Sequence, residues 1–249
     1  MANKYYEPGD QRAAKVADLF ATVATRYDWI NDLQSFGLHR VWKRRLVRLA
    51  APQPGERALD VCCGTGDIAF ALAQAGAAVA GVDFCEPMLA IARRRAQEQT
   101  DRFKAGPRRR RDYVAPEFVP GDALQLPFPD QQFDIVTVGY GLRNLASWER
   151  GVEEMWRVTR PGGRVLMLDF GKPPHPLWRR IYFAYLRRII PVIGKLFSGE
   201  AAAYSYILES LQHYPAQDGV HRKLEALGAT ARIEWLLGGV MTINVGRKG

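Results

Sequence analysis

A glycine-rich segment that follows an apolar run is the feature of this chain best suited to chemistry. Residues 59–67 read Leu-Asp-Val-Cys-Cys-Gly-Thr-Gly-Asp and lead into a helical pattern. A strand that stops at a glycine turn leaves backbone N–H groups and a helix N-terminus facing a crevice, which suits a nucleoside-type cofactor. The candidate cofactor-binding residues here are Asp60, Gly64, Thr65 and Gly66. Asp60 would face the far end of that cofactor or would order the loop.

Two further acidic residues follow apolar runs. Asp83 ends the second predicted strand, where a carboxylate can accept hydrogen bonds from both ribose hydroxyls. Asp122 and Ala123 follow the third, where an acid can accept from an adenine amino group and a backbone N–H can donate. Each acid has a simpler alternative as a loop or capping residue. Because residues 64–69 also fit the loose dinucleotide pattern G-x-G-x-x-G/A, the first segment alone leaves a nicotinamide oxidoreductase open.

The elements that must hold these residues alternate between strand and helix. The predicted strands are 57–61, 78–82, 116–119, 133–138 and 164–168, and the predicted helices between them are 67–74, 86–97 and 149–158. Alternation of this kind predicts a parallel sheet with helices on both faces. Residues 231–236 and 240–245 flank Gly238-Gly239 and predict a hairpin that closes one edge.

A mostly parallel seven-stranded sheet with an antiparallel edge hairpin is typical of class I, Rossmann-like methyltransferases. Pro161-Gly162-Gly163, predicted as a turn before strand five, is also common in that fold. The predicted cofactor is therefore S-adenosylmethionine. We expect one domain over residues 1–249, with an N-terminal helical cover at 11–50, a cofactor-binding core at 56–170, a helical insertion at 174–215 and the hairpin at 228–246.

The composition indicates an ordinary globular chain with an anionic partner. The formal charge is +9 and the pI is about 9.6, and the excess is local, as in Arg108–Arg111, which is either functional or a solvated loop. The sequence contains no run of about 20 apolar residues, so no membrane span is predicted. The N-terminus lacks the apolar core of a signal peptide, so a cytoplasmic location is expected. The three cysteines have neither a disulfide nor a metal-ligand spacing, and no metal is predicted.

Several more specific motifs resemble the quinone-biosynthesis C-methyltransferases of the UbiE/MenG family. Residues 27–32 and 35–43 resemble the N-terminal segment of that family, and Gly139-Tyr140-Gly141-Leu142-Arg143-Asn144 resembles its F-G-L-R-N loop. Further similarity lies at residues 169–173, 204–210 and 238–240, so the resemblance covers about residues 16–246. Gly139, a candidate for cofactor binding, replaces a serine that contacts the cofactor in other members. Cys62-Cys63 resembles the cyanobacterial and plant branch, which methylates 2-phytyl-1,4-naphthoquinone.

The resemblance implies methyl transfer to a ring carbon of a reduced, prenylated or phytylated naphthoquinone, since an oxidised quinone is too electron-poor to attack. Arg143 is the first catalytic candidate, because a guanidinium near the ring oxygen stabilises the developing anion. With a pKa above about 12 it is a poor base, so a water oriented by Asn144, or a carboxylate, would take the proton. Asp28 and His39 are alternative catalytic residues or else caps and packing residues, and Tyr27 lines the cofactor or the ring.

The acceptor's isoprenoid tail makes a membrane surface an expected partner. Residues 177–190 combine aromatic and aliphatic side chains with two arginine pairs, a composition that suits an anionic interface or, alternatively, a helix that covers the sheet. Three other functions stay open: benzoquinol methylation, a nucleic-acid methyltransferase and a non-catalytic cofactor-binding module. An Asn/Asp-Pro-Pro-aromatic motif, common after strand four in amino-methylating nucleic-acid enzymes, does not occur there, which argues against a nucleic-acid partner.

Overall fold

The computed structural model describes residues 15–16, 32, 35–105, 113–198 and 208–249. Within them the strands form one sheet in the order β3-β2-β1-β4-β5-β7-β6. The strands are β1 Arg57–Val61, β2 Ala78–Asp83, β3 Glu117–Pro120, β4 Phe133–Gly139, β5 Thr159–Phe170, β6 Thr230–Leu236 and β7 Met241–Arg247. β1 to β5 pair in parallel, and β7 runs antiparallel to both β5 and β6. The predicted fold class and the edge hairpin are confirmed.

Helices flank this sheet on both faces. They are α1 Leu38–Ala50, α2 Asp67–Gln74, α3 Glu86–Ala105, α4 Trp148–Val158, α5 Pro176–Ser198 and α6 Ala216–Ala226. From β1 the chain crosses to its neighbour β2, and from β4 it crosses to its neighbour β5. These two crossovers run in opposite directions across the sheet. Right-handed crossovers therefore place α2 and α4 on opposite faces, and the strand order reverses between β1 and β4, where such sheets open a crevice.

The helices differ from the prediction in two places. α3 continues for eight residues beyond the predicted end at residue 97, because its polar second half faces solvent and offers no apolar periodicity. α6 was not predicted. Its buried face is built largely from small or polar residues, among them Ala216, Gln217 and Gly219, so the apolar stripe that usually marks a helix is weak.

Residues 161–163, predicted as a turn before strand five, fall within the bounds of β5, but they have no partner in the β4–β5 or β5–β7 ladder and Gly162 has a φ of 76°. The β4–β5 register shifts between Phe133 and Ile135, which absorbs the extra residues as an irregularity of the ladder. The backbone N–H of Gly162 donates to the carbonyl of Lys248 at 2.9 Å, so the segment is held in the sheet.

α5 forms most of the described part of the predicted helical insertion, in which residues 208–213 are also helical. Its inner face buries Tyr182, Leu186 and Ile190 in the core, whereas an outer stripe of apolar side chains is exposed. Across the described residues, no helix combines the length and the apolar character needed to cross a membrane. The role of α5 therefore depends on what its exposed stripe contacts.

Candidate functional site

A crevice with two adjoining lobes opens at the carboxyl ends of β1, β2 and β4. The first lobe spans about 460 Å³ and the second about 590 Å³, and both volumes include space that is open to solvent. The first is lined by Val16, Cys62, Gly64, Asp83, Phe84, Cys85, Met88, Gly139, Tyr140, Gly141, Asn144 and Leu145, and the second adds Val82, Gly121, Asp122, Ala123, Leu124 and Ala146. Because five of these residues line both lobes, the two form one continuous site for an elongated ligand.

Asp83 lines both lobes. One carboxylate oxygen accepts from the backbone N–H of Gly64 at 2.8 Å, and the other accepts from the N–H of Cys85 at 2.9 Å. Burial raises the pKa of Asp83, and these backbone hydrogen bonds oppose that rise. The side chain is thus held rigidly, and each oxygen has a second lone pair for a ligand hydroxyl.

The glycine loop between β1 and α2 is held by two basic side chains that do not line the crevice. Arg95 donates to the carbonyl of Thr65 at 2.8 Å and to Asp67 at 2.7 Å, and Lys43 donates to Asp67 at 2.8 Å. Gly66 has a φ of 89°, and a Cβ at that position would lie 2.7 Å from the ring of Phe118. The loop therefore needs glycine at 66 on both conformational and steric grounds. Thr65 and Gly66 shape the loop without lining either lobe.

The second lobe is built on the loop after β3. Asp122 accepts from the N–H of Leu124 at 2.8 Å, and the neighbouring Ala123 also lines the lobe. This loop is anchored to α4, because the buried Glu154 accepts from the N–H of Leu126 at 2.9 Å and Arg157 donates to the Leu126 carbonyl at 3.1 Å. The acid and the backbone amide predicted at this point are therefore held at the crevice.

The first lobe is closed by the segment that follows β4. Gly139, Tyr140 and Asn144 line it, and the Asn144 amide nitrogen donates to the Tyr140 carbonyl at 3.0 Å. The Asn144 Oδ1 is buried and has no hydrogen-bond partner among the described residues. A buried acceptor without a partner is costly, so this oxygen is suited to a ligand or a water in the crevice.

Arg143 lies in the same turn but does not line either lobe. Its Nη1 donates to Asp169 at 2.9 Å and to the Tyr140 carbonyl at 2.8 Å, and its guanidinium lies 4.6 Å from the centre of the Phe170 ring. Asp169 was not predicted as a site residue. Its position at the end of a predicted strand, next to the cofactor edge of the sheet, was the signal available.

Asp60 faces α2 rather than open space. It accepts from the Thr137 hydroxyl at 2.8 Å and from the N–H of Ala69 at 3.1 Å, and it is 1% exposed. Burial raises the pKa of Asp60 to about 7, while the two hydrogen bonds oppose the rise. These contacts match the loop-ordering alternative, since the carboxyl group holds the first turn of α2 against β4.

His39 is buried at the start of α1, away from both lobes. Its Nδ1 lies 3.0 Å from the Ser35 hydroxyl and 3.7 Å from Asp32. Burial and the nearby Lys43 lower the pKa of His39 to about 4, so the ring is neutral at pH 7. Tyr27, Asp28 and the 108–111 loop lie outside the described residues.

The apolar lining of the first lobe was not predicted from the sequence. Phe84, Cys85 and Met88 follow the end of β2 and face the crevice, and Leu145 lies across from them. Their position directly after Asp83 was the signal available, because residues that follow a strand end at this edge line the crevice. Cys62 also lines both lobes, whereas Cys63 packs in the core.

Replacing Gly139 by Ser is expected to destabilise the protein by about 1 kcal/mol and to weaken cofactor binding, because the added Cβ forces the terminal methyl group of Ile68 out of its preferred rotamer. A Cβ on Gly139 would overlap the Cδ1 of Ile68, a buried residue in the first turn of α2. The measurements are urea unfolding and calorimetric titration with the cofactor. Ile68→Val removes only Cδ1, so the Gly139→Ser/Ile68→Val double variant should regain most of both losses. Equal losses in the single and double variants would contradict the assigned clash.

The site can be tested for fit to the predicted cofactor. The rigid Asp83 carboxylate suits vicinal ribose hydroxyls, and Asp122 with Ala123 offers an acceptor and a donor for a base edge. A Cβ on Gly64 would meet no atom within 4 Å, so the backbone beside the first lobe is open to a ligand. The residues present therefore fit an adenosyl group in the second lobe with its chain directed into the first.

A seven-stranded sheet of this order with this crevice defines a class I S-adenosylmethionine-dependent methyltransferase. Two solved structures support the fold. A SAM-dependent methyltransferase from Aquifex aeolicus has a TM-score of 0.60 and 15% identity, and the match covers 89% of this chain and 98% of that chain. A possible histamine N-methyltransferase from Thermotoga maritima has a TM-score of 0.62 and 17% identity, and the match covers 93% of this chain and 99% of that chain. At these identities the likeness concerns the fold alone.

The sequence of this chain is similar to one family of methyltransferases over nearly its whole length. The ubiE/COQ5 methyltransferase family matches residues 9–248. A demethylmenaquinone methyltransferase of Thermus thermophilus is 41% identical over 92% of this chain and 99% of its own length. A ubiquinone/menaquinone biosynthesis C-methyltransferase UbiE of Stutzerimonas stutzeri is 37% identical over 97% of this chain and 91% of its own length. The chain belongs to the ubiE/COQ5 methyltransferase family and is an S-adenosylmethionine-dependent C-methyltransferase.

Proposed function

We propose that this protein methylates a ring carbon of a reduced naphthoquinone that carries a prenyl or phytyl tail. The observation that carries the proposal is the high identity, over nearly the whole chain, to relatives named for menaquinone and ubiquinone biosynthesis. The apolar wall of the first lobe supports it, because Phe84, Met88 and Leu145 suit a flat, hydrophobic ring. The adjacent cysteines support the phytylated acceptor of the phylloquinone branch.

The residues around the first lobe supply orientation and charge stabilisation. When bound, S-adenosylmethionine supplies an electrophilic methyl group. The acceptor must be the hydroquinone, because its ring carbon is nucleophilic and becomes more so as a phenolic proton leaves. The buried Oδ1 of Asn144 can accept a hydrogen bond from the phenol or from an ordered water, through which the phenolic proton passes to solvent. After methyl transfer the methylated ring carbon loses its proton to solvent as the ring regains aromaticity. Arg143 places a permanent positive charge in the same turn. The chemistry therefore rests on positioning and electrostatics.

The experiment that tests the proposal incubates the protein with methyl-labelled S-adenosylmethionine and a panel of chemically reduced acceptors. The panel contains demethylated naphthoquinols with phytyl and polyprenyl tails, the corresponding benzoquinols, and each quinone in its oxidised form. Label is expected in the naphthoquinol ring and absent from the oxidised forms. Transfer to benzoquinols alone would replace the proposed ring, and cofactor binding without transfer to any acceptor would indicate a non-catalytic module.

We also propose that α5 contacts an anionic membrane surface, where a lipid-tailed acceptor resides. Its outer stripe exposes Leu177 (61%), Ile181 (50%), Ile189 (48%) and Val192 (55%). The helix contains no acidic residue, and Arg180, Arg187 and Arg188 are exposed beside the stripe. Apolar side chains between arginines suit the headgroup boundary of an anionic bilayer.

Replacing Arg180, Arg187 and Arg188 by Glu should lower partitioning onto anionic vesicles about a hundredfold or more, because each basic residue near the surface contributes about 1 kcal/mol. Arg179 is left in place because its Nε donates to the Pro173 carbonyl at 2.7 Å. Flotation with phosphatidylglycerol and phosphatidylcholine vesicles at low and high salt provides the measurement. The matched control replaces Arg102, Arg222 and Arg247, which are exposed elsewhere, and makes the same change in net charge. Equal loss in both triple variants would argue against a specific membrane face.

A further inference from the structure

Asp169 lies where the end of β5 meets the segment after β4. In the parallel β4–β5 ladder Gly139 is paired with Leu168, and the N–H of Tyr140 donates to the Leu168 carbonyl at 2.8 Å. Asp169 therefore stands one residue beyond the last paired position, at the level where the chain turns toward Arg143. β7 covers its other side, since Asp169 is paired with Thr242.

Two contacts join Asp169 to Arg143. The Oδ1 accepts from Nη1 of the guanidinium at 2.9 Å, and the Oδ2 accepts from the backbone N–H of the same arginine at 3.3 Å. One carboxylate thus accepts hydrogen bonds from both the guanidinium and the backbone N–H of the same arginine. The remaining freedom of the guanidinium is reduced further by the Tyr140 carbonyl, 2.8 Å from Nη1, and by the Phe170 ring.

The Arg143–Asp169 ion pair is buried, so both charged groups lose their hydration. The side chains of Arg143 and Asp169 are only 7% and 5% exposed. Burial raises the pKa of Asp169, and the positive charge of Arg143 opposes the rise. A buried ion pair is often no more stable than an apolar pair of similar volume, so stability alone is a weak reason for it. Fixing the orientation of a charged group beside a crevice is a better reason.

We propose that Asp169 is a positioning residue for the methyl transfer, which holds the Arg143 guanidinium in one orientation at the carboxyl end of β4. This inference rests on the proposed function of Arg143. It assigns Asp169 no contact with the acceptor or the cofactor. The carboxylate acts through the arginine, so its effect must disappear when the arginine is removed.

A double-mutant cycle tests this dependence. Asp169→Asn is nearly isosteric and removes the charge, and it should lower kcat about 10–100-fold while the Kd for S-adenosylmethionine changes less than threefold. In the Arg143→Ala background, Asp169→Asn should lower kcat less than twofold further. Asp169→Glu, which keeps the charge, should recover part of the rate. The proposal is overturned if the loss is the same with and without Arg143, or if a folded Asp169→Asn enzyme has the wild-type kcat.

A spectroscopic measurement keeps the proposal separate from the identity of the acceptor. Protein with nitrogen-15-labelled arginine should show slow rotation of the Arg143 guanidinium in the wild type and fast rotation in Asp169→Asn. Asp130→Asn provides the control, because Asp130 is an exposed partner of Arg157. Slow rotation retained in Asp169→Asn would overturn the proposal whatever the acceptor. A wild-type enzyme that methylates no quinol, yet shows the rotation difference, would instead count against the proposed function.

Discussion

Replacing Asp83 by Asn is expected to weaken binding of S-adenosylmethionine about a hundredfold. The carboxylate accepts from the N–H groups of Gly64 and Cys85, at 2.8 and 2.9 Å, and leaves lone pairs for the ribose hydroxyls. Asn has one acceptor oxygen, so its NH₂ group must face either a backbone N–H or the ligand. Hydrogen bonds to a charged group contribute about 1.5–3 kcal/mol each, and losing two of them costs about 3 kcal/mol, which is a hundredfold in Kd.

Isothermal titration with S-adenosylmethionine and with S-adenosylhomocysteine gives the two affinities directly. Both should fall together, because the ribose is common to them. Glu86→Gln provides the control, since Glu86 opens α3 three residues after Asp83 but its side chain is 61% exposed. An unchanged Kd in a folded Asp83→Asn protein would remove Asp83 from the cofactor site.

Replacing Arg143 by Ala should lower kcat about a hundredfold to a thousandfold, the usual effect of removing one group that stabilises developing charge. The arginine does not line the cofactor lobes, so the Kd for S-adenosylmethionine should stay within about threefold. Stability should fall as well, by about 3–5 kcal/mol, because the substitution leaves Asp169 buried without its partner. Single-turnover kinetics and urea unfolding measure the two effects separately.

The Arg143→Ala/Asp169→Ala double variant separates stability from chemistry. Removing both charges should restore much of the lost stability, while kcat stays low because the guanidinium is still missing. Arg160→Ala, an exposed arginine paired with Asp134 at the opposite end of the strand, provides the control and should leave kcat unchanged. Recovery of kcat in the double variant would show that Arg143 acts only on stability.

Much of the cofactor edge was predictable because it is local in sequence. Residues 59–67, Asp83 and Asp122 each lie at or just after the end of a strand, and parallel strands bring their carboxyl ends to one edge. That rule places Gly64, Asp83 and Ala123 at the crevice, and all three line it. Gly139 and Asn144, which the family resemblance indicated, line it as well. The ranges 57–61 and 67–74 match their elements to the residue because each has a clear apolar pattern, and Gly66 directly precedes the helix.

The sequence by itself determined the fold class, the cofactor edge and the family, since each rests on short segments whose pattern has a direct physical meaning. Only the tertiary structure decided which polar side chains face inward and what they touch. Asp60 and Asp83 both end strands, yet one faces α2 and the other lines the crevice. Arg143 and Asp169 lie 26 residues apart and form one buried pair. Side-chain direction and long-range pairing depend on sheet register and helix packing, which local sequence patterns do not encode.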